Sequence, residues 1–241
     1  MNLLIYKTQD ELLADLAAYI IKIANKAIDE HDRFDFVLTG GNSPKALYEM
    51  LATTYKDKID WTKVFFFFGD ERNVMPTHES YNGLMAKKAI LDPLNIPAEQ
   101  IFYVDTTLAP EKAAIEYNKA IVKHFNGADL AFDLILLGMG DDAHTASLFP
   151  GTSILKNDNV EIDSVYVEKL STYRISFTAP LINKAKNIAF LVFGENKAEA
   201  VKHVIESDKK NTSLYPTQLI QPIDGGVTWF LDEAAASLLE N

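Results

Sequence analysis

Asp141, Asp142 and His144 fall within four consecutive positions, directly behind an apolar run and a glycine pair. A free imidazole titrates near pH 6.5 or so, which lets it accept or donate a proton close to neutrality. An aspartate two positions earlier can orient that ring or raise its basicity. The same Asp-x-His serves equally as the cap of a helix running toward Leu148, and both readings stand on the tripeptide alone. The surrounding stretch, Phe132 to Gly151 (FDLILLGMGDDAHTASLFPG), supplies the context. Leu134 to Leu137 reads as a buried strand, Gly138-Met139-Gly140 as a tight turn, and the residues beyond it as a helix. Continuous apolar strands belong to parallel sheets covered on both faces, and in open sheets of that kind ligands bind beyond the carboxyl ends of the strands.

A second constellation, Asp70-Glu71-Arg72, follows four phenylalanines, Phe65 to Phe68. Burial of an unpaired ion costs several kcal/mol, so the three charges are expected to emerge at the rim of the sheet. The planar fork of Arg72 suits phosphate oxygens; an internal salt bridge is the competing reading. Thr39 leads into Gly40-Gly41-Asn42-Ser43-Pro44, where Pro44 fits the first turn of a helix with Ser43 or Asn42 as its cap. The glycines admit close backbone approach, and exposed amides at a helix start bind anions. Arg174 shares a strand face with Ser176 and Thr178, and Lys197 opens a helix past Gly194; each is also readable as a surface charge. His31, His78, His124 and His203 lack such surroundings and are expected to be solvent-exposed.

Among the elements that carry these groups, residues 3 to 6 read as a short strand, and Thr8-Gln9-Asp10-Glu11 fits a capping box for a helix to about Ile28. Strands are expected at Phe36 to Thr39, Val64 to Phe68, Ile101 to Val104, Leu134 to Leu137 and Asn187 to Phe193. Val160 to Val167 and Tyr173 to Thr178 alternate more, as a strand near an edge does. Helices are expected from Ser80 to Leu91, Pro110 to Phe125 and Glu195 to Ile205, with Glu206 to Tyr215 a surface loop. Gly226 to Leu231 and an Asp232-capped helix close the chain. Four strands end in glycine turns, at Gly40, Gly69, Gly138 and Gly194. In a parallel sheet with right-handed crossovers all four turns gather on one rim.

Composition limits the partners and the chemistry. The chain of 241 residues is 48% hydrophobic, ample for a sizeable core, and reads as one α/β domain, 1–241. It carries 34 acidic against 23 basic residues, a net charge of −11, which disfavours nucleic acid and anionic membranes as partners. No apolar run reaches the length of a membrane span, and the N-terminus lacks the basic start and cleavage site of a signal peptide, so a cytoplasmic location is expected. With no cysteine, disulfides, thiolate metal sites and a cysteine nucleophile are excluded. There is no Gly-x-Ser-x-Gly elbow, no nucleotide-phosphate loop and no full dinucleotide fingerprint. Asp142 and His144 alone do not define a metal site, and none is expected.

In these segments the chain closely resembles the 6-phosphogluconolactonases, within the wider superfamily that includes glucosamine-6-phosphate deaminase and ribose-5-phosphate isomerase. The resemblance runs from about residue 5 to 239 and rests on Thr39 to Pro44 (usually SGGSTP), Phe67 to Arg72, Gly138 to Pro150 (usually GMGxDGHTASLFP), Tyr173-Arg174-Ile175, Gly194 to Ala198, Trp229 and Asp232. It implies a three-layer α/β/α fold on a mainly parallel, Rossmann-like sheet, and hydrolysis of 6-phosphogluconolactone to 6-phosphogluconate in the oxidative pentose phosphate pathway without an obligatory cofactor. It further implies His144 as the base that activates water with Asp142 in support. The phosphate would be held by Gly40, Gly41, Asn42, Ser43, Arg72, Arg174 and Lys197, with Asp70 in the site in an open role. The expected partner is a small phosphosugar lactone, and the expected state a monomer. Ala143 replaces the customary glycine before the histidine; if that position needs a positive φ, alanine shifts His144 or costs about 1 kcal/mol or more. Asn42 replaces a serine. The deaminases carry HIAFNEP at the histidine, with a glutamate where this chain has Phe149, which argues for lactone hydrolysis. A non-catalytic sugar-phosphate sensor is the remaining alternative, though such proteins normally carry a DNA-binding helix-turn-helix, and this chain begins too close to its first strand to contain one.

Overall fold

The computed structural model describes residues 1–240. Its centre is a six-stranded sheet built from β1 (Asn2–Tyr6), β2 (Phe34–Leu38), β3 (Val64–Phe68), β5 (Leu134–Leu137), β8 (Asn187–Val192) and β9 (Gly226–Asp232). The spatial order is β1-β9-β8-β5-β2-β3, and every pairing is parallel. The inner strands are apolar at nearly every position because each face of the sheet meets its own core. Phe36, Phe66, Phe68, Leu134 and Leu136 face one cluster, and Val37, Phe67, Ile135 and Leu137 face the other.

Helices form the outer layers. α1 (Gln9–His31) starts at the capping box of Thr8 and Glu11 and runs one turn past the expected end, closed by Asp32 in the left-handed region. It shares its core cluster with α2 (Ser43–Thr53) and α3 (Asn82–Ala86), while α4 (Pro110–Phe125), whose bounds match the sequence reading, lies in the opposite cluster with α5 (Ala179–Ile182) and α6 (Ala198–Glu206). The fold is the expected three-layered α/β arrangement. Among the described residues no helix is long and apolar enough to cross a membrane.

Several expectations fail, each for a local reason. The two alternating segments, one of them expected near an edge of the sheet, are β6 (Ile162–Val167) and β7 (Thr172–Phe177), and both leave the parallel sheet. They pair antiparallel with each other and with β4 (Asp70–Arg72) in a separate three-stranded sheet. Ile101 to Val104 contributes only a single bridge, Phe66 to Ile101. The helix expected from Ser80 is a five-residue α3 that widens into a π-helical turn over Lys87–Leu91, and Ser80 does not cap it. Between Gly140 and Pro150 there is no helix: the chain folds through successive turns with Ala143 at φ 57° and Ala146 at φ 48°. Past Asp232 the backbone forms turns, although Asp232 does accept from the Ala235 N–H. His124 is not solvent-exposed: it is nearly buried, packs against Phe65, Phe67 and Phe102, and reaches Asp35 at 2.7 Å.

Candidate active site

The four glycine turns do gather on one rim, at the carboxyl ends of the adjacent strands β8, β5, β2 and β3. They open into a cavity of about 410 Å³, within the size range of small-molecule sites. Its wall includes Gly40, Gly41, Ser43, Asp70, Arg72, Asp142, His144, Arg174 and Lys197. Nine of the ten residues singled out from sequence therefore meet there. The exception is Asn42, whose exposed side chain lines a neighbouring polar cavity shared with Gly41, Arg72 and Ser80.

His144 and Asp142 form one unit. Nδ1 of the imidazole lies 2.5 Å from Asp142 Oδ1. A carboxylate only accepts, so the proton sits on Nδ1 and Nε2 keeps its lone pair. The second carboxylate oxygen takes Lys169 Nζ at 3.0 Å. Burial pushes Asp142 up, but the hydrogen bond and charge of His144 and the Lys169 hydrogen bond outweigh it and hold the carboxyl well below the usual range. Phe149 stacks on the imidazole at 3.9 Å between ring centroids, fixing the plane of the ring from the side. Gly140 is obligatory here, because a Cβ at that position would run into both the His144 ring and the Asp142 carboxylate.

The loop carrying this pair is tied at the backbone. Gly140 N–H donates to the His144 carbonyl at 2.8 Å, and the Ala143 carbonyl accepts from both the N–H and the hydroxyl of Thr217, at 3.0 and 2.7 Å. Ala143 does occupy the left-handed region. The lattice of backbone bonds keeps His144 in register with Asp142, so the alanine acts as a local strain and not as a displacement.

The opposite wall is cationic by strand register. In the antiparallel pairing of β4 with β7, Arg72 stands directly across from Arg174 and Asp70 across from Ser176. Directly opposed residues share a face, and like charges in that relation repel. Burial lowers the Arg174 pKa and neighbouring Arg72 lowers it further, with Asp70 in opposition. Two adjacent guanidiniums turned into one cavity, close to the uncapped start of α2, make a ready seat for an anion. Asn42 stands at the N-cap position, as expected, but its side chain makes no capping hydrogen bond. Asp70 is held by Ser147 Oγ at 2.6 Å.

Glu71 corrects the sequence reading outright. It points away from the cavity and is fully buried, 0% exposed. Its carboxyl accepts the backbone N–H groups of Arg72, Asn82 and Gly83 at 2.8 to 2.9 Å, which offsets part of the cost of burial. Burial nevertheless pushes its pKa up to about 8. Sequence reasoning also missed Lys169 and Ser147. Ser147 lies inside the histidine segment and was within reach of that reading; Lys169 sits between β6 and β7, and no local pattern connects it to Asp142. Among the described residues no three His, Asp or Glu side chains group as a metal site.

The family model described as glucosamine-6-phosphate isomerases/6-phosphogluconolactonase matches residues 7–229. A 6-phosphogluconolactonase of Nostoc sp. is 41% identical over 96% of this chain and 95% of its own length. A protein of Oryza sativa subsp. japonica named probable 6-phosphogluconolactonase 3, chloroplastic, is 36% identical over 99% of this chain and 76% of its own length. The crystal structure of 6-phosphogluconolactonase from Thermotoga maritima superimposes with a TM-score of 0.82 at 28% identity, covering 96% of this chain and all of that one.

Proposed function

Because the chain belongs to the glucosamine-6-phosphate isomerase/6-phosphogluconolactonase family, we propose that it hydrolyses 6-phospho-D-glucono-1,5-lactone to 6-phospho-D-gluconate. The observation that carries the reading is one cavity with an imidazole–carboxylate pair on one wall and a cross-strand arginine pair on the other.

In this reading Nε2 of His144 takes a proton from a water molecule as its oxygen bonds to C1 of the lactone. Asp142, fixed on Nδ1, stabilises the imidazolium that forms. The tetrahedral intermediate collapses by breaking the bond from C1 to the ring oxygen, and the departing oxygen takes the proton back from Nε2. One water is consumed, and an open-chain acid is released. The 6-phosphate, with a charge of about −1.5 to −2 at neutral pH, lies against Arg72, Arg174, Lys197 and the Gly40-Gly41-Ser43 turn. Anchoring that remote group holds C1 at the histidine, so binding energy becomes orientation at the reacting carbon. Phe149 over the ring favours this chemistry over deamination, since a carboxylate is lacking at that place. We further propose that residues 1–241 act as a single monomeric domain in the cytoplasm, serving the oxidative pentose phosphate pathway and requiring no cofactor.

The test is an initial-rate assay on freshly made lactone beside its spontaneous hydrolysis. Wild-type protein should exceed the spontaneous rate by orders of magnitude, and His144→Ala should lose most of that gain. Tight binding of 6-phosphogluconate without turnover would point to a sensor, and ammonia release from glucosamine 6-phosphate to a deaminase.

A further inference from the structure

The Gly40-Gly41 turn and β4 line the same cavity from different sheets, yet among the described residues no backbone hydrogen bond joins them. What lies between them is the side chain of Asn82, the first residue of α3, only 2% exposed. A Cβ built on Gly40 would overlap Oδ1, Cγ and Nδ2 of Asn82, all closer than the 3.0 Å that real Cβ atoms respect. Gly40 is not in the left-handed region. Glycine is therefore required there for room: the carboxamide occupies the volume a side chain at 40 would take.

The other end of the same carboxamide grips β4. Nδ2 donates to the Asp70 carbonyl at 2.9 Å and lies 3.4 Å from Asp70 Oδ1. Oδ1 is buried without a donor from the chain, as expected for an atom pressed against the Gly40 Cα. Two further ties fix where the wedge stands. The Asn82 and Gly83 N–H groups are anchored on the buried Glu71 carboxyl, and Arg72 Nη1 donates to the Ser80 carbonyl at 2.8 Å.

We propose that Asn82 is a positioning residue that sets the gap between the glycine turn and the Asp70–Arg72 strand, and through that gap the fit of the phosphate. The inference rests on assigning those two segments to the phosphate. It makes Gly40 and Asn82 a matched pair: small at 40 because large at 82.

A double-mutant cycle on the full chain tests it, using Asn82→Ala, Gly40→Ala and their combination, with rates on phosphorylated lactone and on unphosphorylated gluconolactone. Asn82→Ala keeps its backbone bond to Glu71 and loses the wedge together with its bond to the Asp70 carbonyl. It should raise KM for the phosphorylated lactone about tenfold, with kcat and gluconolactone turnover changed less than about threefold. Gly40→Ala should cost about tenfold or more in wild type but far less in the Asn82→Ala background, since the vacated space accepts the new methyl. Asn82→Asp retains the volume but sets a carboxylate against the Asp70 carbonyl; it should raise KM similarly and leave Gly40→Ala as costly as before. Additive Gly40 and Asn82 effects, or equal losses on both substrates, would overturn the pairing. Wild-type protein that shows no preference for the phosphorylated lactone would remove the phosphate assignment itself, and the pairing's role with it.

Discussion

Asp142 has one oxygen on the catalytic candidate His144 and the other on Lys169, so its charge is held in place from both sides. Asp142→Asn keeps the shape but removes the charge that stabilises an imidazolium, and it permits the wrong ring tautomer. A fall of about 100-fold or more in kcat/KM, with KM little changed, is the expected outcome of steady-state kinetics. Ala143 illustrates two residue-scale effects that oppose each other. Its φ of 57° is strained for alanine by about 1 kcal/mol, whereas its fully buried methyl contributes a similar amount by leaving water. Ala143→Gly should accordingly shift Tm by no more than about 3 °C in either direction. Activity should persist, because Thr217 and Gly140 hold the loop by its backbone.

Among the elements, β4 matters more than its three residues imply, because alternation along it sends Asp70 and Arg72 into the cavity and Glu71 into the interior. Arg72 and Arg174 face one another across β4 and β7. Charge-assisted bonds contribute about 1.5–3 kcal/mol each, so Arg72→Ala and Arg174→Ala should each raise KM for the phosphorylated lactone about ten- to hundredfold. Gluconolactone, which offers them no anion, should be affected little; equal losses on both would remove the phosphate assignment. The inward residue gives a pH prediction. Glu71 titrates at its ordinary 4.5 when unfolded and at about 8 in the fold. The folded state therefore binds more protons between those values. Its contribution favours folding below the lower pKa and is lost as pH rises through the upper one. In thermal melts the Tm advantage of wild type over Glu71→Gln should shrink between about pH 5 and about pH 8.5. An advantage that grows with pH would mean that the three N–H donors keep the carboxylate ionised.

At the scale of the whole molecule, the parallel sheet serves as a rigid floor with an apolar core on each face, and the site is carried only on its rim. Leu136, at 0% exposure, is deep in that floor. Leu136→Ala should cost about 2–5 kcal/mol of stability in denaturant titrations while leaving KM of the folded fraction unchanged. By itself the sequence determined the parallel strands, the four glycine turns and the identity of the histidine and arginines, because apolar runs, glycines and charged tripeptides are local signals. It also marked position 143 as one where alanine is strained if φ is positive, and the fold supplied the positive φ. Only the tertiary structure decided that Glu71 turns inward, that β4, β6 and β7 form their own sheet, that Asn42 lies outside the cavity, that Lys169 reaches it, and that Asn82 packs behind it between Gly40 and Asp70. Apart from that of Asn42, these outcomes depend on partners that no local pattern supplies: the N–H groups of Asn82 and Gly83 for Glu71, a register with β7 for β4, a carboxylate for Lys169 and a missing side chain at position 40 for Asn82. Local pattern records what a residue is able to do; which neighbour it meets is set by packing between segments distant in sequence.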